Sequence, residues 1–149
     1  MNKKILLFCL IPILLFGKNV EEYGLTKFSK KIQKSKIEVE LNRFKQSSKH
    51  VCFDEYYDIQ KSVSFHLNVD GDDVLIPPTL YCFMLDLKQM NLSYRNNFFV
   101  LEGSGGDGVA SYNFEVYFDK KNILKVYGFG QPSKKDTTVQ ILFKPLILD

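Results

Sequence analysis

Three segments of the chain alternate between apolar and polar residues. Their apolar members are, in chain order, Val63, Phe65, Leu67 and Val69, then Tyr112, Phe114, Val116 and Phe118, then Val139, Ile141 and Phe143. A period of two places successive side chains on opposite faces of a β-strand, so each apolar set faces a core and the residues between them face solvent. Turn-forming residues separate the segments, among them Asp70-Gly71 and the stretch 103–108. The pattern predicts a meander of antiparallel strands.

The segment before residue 36 has a different spacing. Leu25, Phe28 and Ile32 recur at intervals of three and four, with acidic residues before them and lysines after them. This order suits the dipole of an amphipathic helix, and we predict a helix over about residues 20–35. The next segment, 37–46, fits either a strand or a helical stripe, and the pattern alone leaves both open.

A sheet with one buried face needs a cover, and the single helix is the natural candidate. The predicted fold class is therefore α+β, with an N-terminal amphipathic helix packed on a curved antiparallel sheet in one domain, residues 18–149. A Rossmann fold or an α/β barrel is excluded because no gap after residue 60 is long enough for repeated helices. Pro77-Pro78 cannot donate to a ladder and marks an edge or a break.

The N-terminus resembles a secretory signal. Lys3 and Lys4 precede an unbroken apolar stretch from Ile5 to Phe16, followed by Gly17. As a helix, this stretch would cover about 18 Å, well short of the ~30 Å hydrocarbon core. We expect a signal peptide over residues 1–17, cleavage after Gly17, a periplasmic or secreted location and no membrane anchor after cleavage. An uncleaved anchor is the alternative.

Export determines how the cysteines are interpreted. Cys9 leaves with the signal, and the mature chain keeps Cys52 and Cys82 in an oxidising compartment. We predict that these two form a structural disulfide, which the chain-entropy model values at roughly 3 to 4 kcal/mol. The alternative is a reactive thiol with His50 or His66 as its base, which requires the thiol to stay reduced.

Net charge argues against a nucleic-acid partner. The 149 residues include 20 basic and 17 acidic ones, and loss of Lys3 and Lys4 brings the net charge near +1. A nucleic-acid binder usually carries a sustained basic face, which this chain lacks. The acidic residues concentrate between positions 50 and 119, where they would suit a cationic partner or simply form a solvated surface.

Two stretches resemble known binding motifs, but the residues around them do not fit those motifs. Residues 103–108 satisfy G-x-G-x-x-G, but a strand is predicted after them where a dinucleotide site needs a helix, so we expect a flexible hairpin connection. The acids around Gly71 suggest calcium, yet the EF-hand register would put His66 and Pro77 at ligand positions that require carboxylates. An Asp-Gly turn is the better interpretation. The spacing of the cysteines and histidines matches no zinc signature, so no metal, cofactor or catalytic residue is predicted.

A recognition surface is the remaining candidate site. The stretch from Phe53 to Asp58 combines tyrosines with acids, as protein interfaces often do. The candidate partner-binding residues are Asp54, Glu55, Tyr56, Tyr57 and Asp58 in this stretch, Asp70, Asp72 and Asp73 in the turn, and Ser104 and Asp107 in the glycine-rich stretch. The expected partner is another protein, with a basic surface. The alternative is that the aromatic residues pack under the helix.

The architecture expected here resembles several classes of periplasmic inhibitors, immunity proteins and cystatin-like or NTF2-like binding modules, in outline only. The main hypothesis is a small exported, non-enzymatic binding protein, such as an inhibitor or immunity protein that acts by protein contact. A second is a small-ligand module with an apolar pocket, which 13 Phe and 8 Tyr would allow. A third is a hydrolase based on the histidines and cysteines.

Overall fold

The computed structural model describes residues 17–52, 55–107, 111–130 and 137–142. Strands dominate this part of the chain. Their bounds are β1 (Lys18–Asn19), β2 (Gly24–Ile32), β3 (Ser35–Cys52), β4 (Glu55–Val69), β5 (Asp72–Asp73), β6 (Leu87–Arg95), β7 (Phe98–Gly105), β8 (Tyr112–Phe118), β9 (Ile123–Gly130) and β10 (Thr137–Leu142). A 3₁₀ turn at Pro78–Leu80 leads directly into a single short helix, α1 (Tyr81–Met84).

The described strands form two antiparallel sheets. The four-stranded sheet has the order β2-β3-β4-β5, and the six-stranded sheet has the order β1-β6-β7-β8-β9-β10. All of these strand pairs are antiparallel. Apart from β1, the strands of each sheet follow one another in sequence, so both are largely built from successive hairpins. The predicted antiparallel meander is confirmed, but it is divided into two sheets.

The two sheets share one hydrophobic core. Where side chains are described, alternate residues of β3 and β4 are buried, whereas β8 is buried at every position from Phe114 to Phe118. One cluster contains side chains from both sheets, including Ile37, Leu41, Phe65 and Leu67 from the first and Leu92, Leu101, Phe114, Val116 and Phe118 from the second. The sheets therefore pack face to face as a β-sandwich, in which each covers the apolar face of the other.

The predicted N-terminal helix, and with it the α+β class, is wrong. Residues 24–32 form β2, which pairs with β3 from Gly24↔Arg43 to Ile32↔Ser35. The interval of four between Phe28 and Ile32 fits a strand as well as a helix, because both periods return the two residues to the same face. The second sheet, and not a helix, covers the first. The open segment 37–46 belongs to β3.

Lys30 explains why the alternation of β2 is hidden in the sequence. Strand parity places Lys30 on the inner face with Phe28 and Ile32. Its ammonium reaches across the sandwich and donates a hydrogen bond to the Leu92 carbonyl of β6, at 2.6 Å. An inward lysine on an edge strand is a known feature of natural sheets, and here it interrupts the apolar pattern that would have predicted a strand.

The glycine-rich stretch 103–108 is only partly a loop. Gly103 and Gly105 belong to β7, where they pair with Phe114 and Tyr112 of β8. A Cβ at Gly103 would collide with the Phe114 ring, and one at Gly105 would collide with the Tyr112 phenol. These glycines make room for aromatic rings on the neighbouring strand, and the predicted hairpin connection begins only after β7.

The turns follow the chemistry of their residues. Asp70 and Gly71 have φ values of 58° and 99° between β4 and β5, and Asn96 and Asn97 have φ values of 52° and 68° between β6 and β7. Positive φ at both central positions is typical of the two-residue hairpin turns that match strand twist. The predicted Asp-Gly turn is confirmed. Pro78 opens the 3₁₀ turn that links the sheets, so the predicted break at Pro77-Pro78 is confirmed as well.

The predicted signal peptide lies outside the described residues, apart from Gly17. The helical segments that are described lack the length and apolar character needed to span a bilayer.

Candidate functional site

Polar and aromatic side chains from four neighbouring strands meet on the outer face of the six-stranded sheet. The register aligns Asn91, Glu102, Glu115 and Tyr127 across β6 to β9. The adjacent outward row aligns Ser93, Val100, Tyr117 and Lys125. We call this surface the charged–aromatic face and define it by Arg95, Glu102, Glu115, Tyr117, Lys125, Tyr127 and Phe129.

An arginine between two carboxylates is at the centre of this face. Glu102 and Glu115 lie directly opposite each other on β7 and β8, an arrangement of like charges that is unfavourable by itself. The Arg95 Nη2 atom lies 2.8 Å from the Glu102 Oε1 and 3.3 Å from the Glu115 Oε1. Although burial opposes the charge of Arg95, the Glu115 and Glu102 carboxylates raise its guanidinium pKa. The arginine therefore holds the two carboxylates together.

Glu115 is buried although it points away from the core. It is 8% exposed, and the hydroxyl of the equally buried Tyr117 donates a hydrogen bond to its Oε2 at 2.9 Å. Burial and this contact with the carboxylate raise the pKa of the Tyr117 phenol. A desolvated carboxylate must be held by such partners, because a buried charge without them is very unfavourable.

Aromatic rings and a lysine extend the face toward β9. The Lys125 Nζ lies 4.3 Å from the centroid of the Tyr117 ring and 5.3 Å from that of Tyr127. Tyr127 meets Tyr117 edge-on at 5.8 Å and stacks on Phe129 at 6.3 Å. These distances suit cation–π and aromatic contacts, which orient the rings along the strands.

A groove of about 310 Å³ opens beside this network. The described residues that line it are Gly17, Gln89, Met90, Asn91, Glu102, Gly103, Ser104, Asn113, Phe114, Glu115 and Phe129. Amides, a hydroxyl and carboxylates thus share the groove with an apolar wall. The Asn91 Nδ2 donates to the Glu102 Oε2 at 3.2 Å, which fixes the orientation of this amide.

Two polar atoms near the groove are buried without a hydrogen bond. They are the Ser93 Oγ and the Arg95 Nε, and the only other such side-chain atom in the described part of the chain is the Arg43 Nε. Buried polar groups are nearly always paired, so an unpaired one calls for an explanation such as bound water or a ligand. Two of the three atoms belong to the outer face of the six-stranded sheet.

The outer face of the four-stranded sheet has a larger but different groove. It measures about 680 Å³ and is lined by Lys27, Phe28, Ser29, Glu38, Val39, Glu40, His66, Asn68 and Asp73. Its ion pairs, Lys27–Glu40 at 2.7 Å and Lys36–Glu38 at 2.8 Å, have all four side chains at least two-fifths exposed. Exposed pairs of this kind contribute little to stability or to recognition.

His66 lies on this second face, where it was expected to be exposed. Its Nε2 is 3.3 Å from the Ser64 Oγ, and Glu40 is its register partner on β3. The Glu40 carboxylate is paired with Lys27. His66 and Glu40 line the groove of this face, but His66 is exposed and the Glu40 side chain is 41% exposed. The alignment therefore lacks the water-excluded setting in which acid–base chemistry is efficient.

The predicted partner-binding residues that are described do not form one patch. Asp70, Asp72 and Asp73 lie at the end of the sandwich that contains the β2–β3 turn, while Asp107 lies at the opposite end, beside Lys88. The nine residues of β6 separate these ends by roughly 25–30 Å. Ser104 lines the groove of the six-stranded sheet and is the one predicted residue that belongs to the candidate site.

Asp70 has an internal role. Its carboxylate accepts the Lys36 backbone N–H at 2.8 Å and pairs with the Lys120 Nζ at 2.9 Å. These contacts, with that of Lys120 the largest, lower the pKa of Asp70 to about 2. Because Lys120 lies in the β8–β9 turn, Asp70 joins the two sheets at this end.

The backbone of Glu55–Asp58 forms the start of β4 and pairs with the end of β3. Asp54 is outside the described residues, and so are the side chains of Glu55–Asp58 and of Cys52. Cys82 lies in α1. The acidic docking segment and the Cys52–Cys82 disulfide therefore stay predictions.

The sequence analysis missed the centre of the candidate site. Alternation placed Glu115 and Tyr117 in solvent, and it did not consider Arg95, Glu102 or Tyr127. The usable signal was the Asn96-Asn97 turn, which fixes the β6–β7 register and so brings Arg95 and Glu102 together. Among the described residues, no group of three or more histidines, cysteines and acids is placed to hold a metal ion.

No protein family model, no curated protein and no solved structure matches the chain.

Proposed function

We propose that the protein is an exported, non-enzymatic binding protein whose ligand lies on the charged–aromatic face, in the groove beside Glu115. The single observation that carries this proposal is the burial of Glu115 on the outward side of a sheet, in a network with Arg95 and Tyr117. The export component rests on the predicted signal peptide.

The energetics of this network favour binding over a purely structural role. Taking a carboxylate and a guanidinium out of water is unfavourable, and well-packed apolar residues often stabilise a protein as much as a buried ion pair does. In the part of the four-stranded sheet whose side chains are described, the ion pairs of the outer face, Lys27–Glu40 and Lys36–Glu38, are between exposed side chains. A pre-positioned polar network next to a groove is what a binding site needs, because its groups are already ordered before the ligand arrives.

The chemistry of the groove favours binding without catalysis. Its two carboxylates, Glu102 and Glu115, are both engaged by Arg95. Hydrolysis with two carboxylates requires that one of them be free to donate a proton to the leaving group. Histidine and cysteine are absent from the described lining of the groove, so the Ser104 hydroxyl has no imidazole base among the described lining residues.

The enclosed apolar pocket of the alternative hypothesis finds no support. Among the described residues, Phe65, Phe114 and Phe118 are buried within the shared core, and the described grooves lie on the surface. A protein ligand on the acidic docking segment stays a prediction, since the side chains of that segment are not described.

Amide chemical-shift mapping tests the proposal. The purified, isotope-labelled protein is titrated with a panel of neutral oligosaccharides, single amino acids and tetrapeptides of lysine and of glutamate. We expect at least one probe to shift the amides of Asn91, Glu102 and Asn113 while leaving those of Glu38 and Glu40 unchanged. The proposal is overturned if no probe shifts the first group or if the shifts concentrate on the second.

A further inference from the structure

We infer, on the basis of the proposed function, that the groove beside Glu115 binds a neutral saccharide. The inference follows from the hydrogen-bonding groups of the groove, its charge balance and its apolar wall.

The hydrogen-bonding groups of the groove match a ligand made of hydroxyls. Gln89, Asn91 and Asn113 contribute side-chain amides, and Ser104 contributes a hydroxyl. Each of these groups both donates and accepts hydrogen bonds. A sugar hydroxyl does the same, so it can satisfy an amide carbonyl and an amide N–H in turn. A purely anionic or cationic ligand would use only one half of this capacity.

Glu102 and Glu115 leave the groove with a net negative charge even with Arg95, but their oxygens are already paired, which disfavours a further cation. Arg95 offsets part of the charge of Glu102 and Glu115. The lone pairs of the carboxylate oxygens that Arg95 does not use can accept hydrogen bonds from a ligand. Carboxylates that are already held in place accept hydroxyl donors without first having to be ordered. A cationic ligand would have to compete with Arg95 for the same oxygens. An anionic ligand would face two carboxylates.

The groove has an apolar side as well. Phe129 forms part of the lining, and its orientation is set by stacking on Tyr127 at 6.3 Å with an interplanar angle of 18°. The ring carbons of a sugar present C–H groups that pack against such an apolar wall while the hydroxyls point along the ring edge. The volume of about 310 Å³ lies at the lower end of small-ligand pockets, which suits a short saccharide.

The test measures saccharide binding and its dependence on one amide. The probes are the tetrasaccharides of N-acetylglucosamine, of β-linked glucose and of α-linked glucose, with tetralysine and tetraglutamate as charged probes. Affinities come from calorimetry and positions from amide shifts. We expect at least one tetrasaccharide to bind in the groove, and Asn113→Leu, which keeps the approximate size of the side chain but removes its hydrogen bonds, to weaken that binding roughly tenfold or more.

Asn42→Leu is the matched control, because Asn42 lies on the outer face of β3 in the other sheet. This variant should bind the saccharide within about twofold of the wild type. If Asn113→Leu fails to fold, as judged from its thermal midpoint, Gln89→Leu replaces it, since Gln89 is exposed at the rim of the groove.

The outcomes separate this inference from the proposed function. If a charged tetrapeptide shifts the groove amides and no saccharide does, the binding face stands and the saccharide inference is wrong. If no probe binds, both are wrong. Saccharide binding that Asn113→Leu and Gln89→Leu leave intact also contradicts the inference. Cleavage of the bound saccharide during the titration would contradict the non-enzymatic part of the proposed function.

Discussion

The outer faces of the two sheets differ in how they treat charge. On the four-stranded sheet, Lys27–Glu40 and Lys36–Glu38 are ion pairs between exposed side chains. On the six-stranded sheet, Glu115 is 8% exposed and is held by Arg95 and Tyr117. Both faces are outward sides of antiparallel sheets. The larger groove lies on the first face and the desolvated charges lie on the second.

This difference, and not groove volume, is the reason why we propose the smaller groove as the binding site. A groove lined by solvated ion pairs leaves water around its charged groups and gives a ligand little to gain. A smaller groove beside ordered, partly dehydrated groups offers stronger interactions, because the local dielectric is lower and the groups are already positioned. The comparison therefore places the candidate site on the six-stranded sheet.

The largest expected difference between the faces is in how much the free energy of unfolding falls when a carboxylate is removed. Glu115→Ala leaves the Tyr117 hydroxyl without its acceptor and weakens the pairing of Arg95, and we expect a loss of about 2 kcal/mol in the free energy of unfolding. The estimate is below the full cost of breaking a buried pair because the Arg95 side chain is 36% exposed. The matched variant Glu38→Ala should cost at most about 0.5 kcal/mol. Urea denaturation measures both, and equal losses would erase the distinction.

The next effect concerns the coupling between Arg95 and Glu115. Arg95→Met leaves Glu102 and Glu115 opposed without a cation, and we expect a loss of about 1–2 kcal/mol. Adding Glu115→Leu removes the repulsion and should recover at least half of that loss, since an apolar pair can replace an ion pair. A double-mutant cycle in urea gives the coupling energy. Strict additivity of the two changes would mean that the network is not coupled.

A smaller effect is expected from one hydroxyl. Tyr117→Phe removes the donor to the Glu115 Oε2 and should lower stability by about 1 kcal/mol. It should also remove a phenol with a raised pKa from the absorbance titration of the tyrosines. Tyr94→Phe is the control, because Tyr94 is 37% exposed, and it should be nearly neutral. A titration curve unchanged at its alkaline end would argue against the Tyr117–Glu115 contact.

The smallest effect is pH-dependent and involves the contact that joins the sheets. The pKa of Asp70 falls from 3.8 to about 2 in the folded protein, so its contribution to stability is present above pH 4 and is lost as the pH falls through 2. Asp70→Asn should therefore lower the thermal midpoint slightly at pH 7 and leave it unchanged near pH 2. Asp72→Asn in the same turn is the control. A difference that persists at pH 2 would have another cause.

The strands could be predicted from the sequence where one face of the strand contacts only the core and the other contacts only solvent. Alternation located the part of β4 from Val63 to Val69, and β8, because the inward residues there are apolar. It failed for β2, where the spacing of Phe28 and Ile32 fits both periods and Lys30 is turned inward. The sequence analysis also failed to predict that a second sheet packs on the first. The period of the apolar residues indicates which side of a strand is buried, but it does not indicate which element packs against that side.

The candidate site was harder to predict for a related reason. Sequence alternation assigned Glu115 to solvent, which is correct for its direction and wrong for its burial. The burial arises from the alignment of Arg95, Glu102 and Tyr117 across three strands, and such an alignment requires the register of two hairpins. Ser104 was named as part of a predicted loop, and the structure places it near the end of β7, in the lining of the groove.

The inward lysine of β2 has a consequence for how copies of the chain meet. β2 is the outermost strand of its sheet in the described part of the chain, and such a strand invites a strand from another molecule to pair with it. A strand from another molecule that paired with β2 would lie next to the Lys30 ammonium, which is already hydrogen-bonded to the other sheet. Since an inward charge on an edge strand disfavours edge-to-edge pairing, we expect Lys30 to oppose the association of copies of the chain at β2.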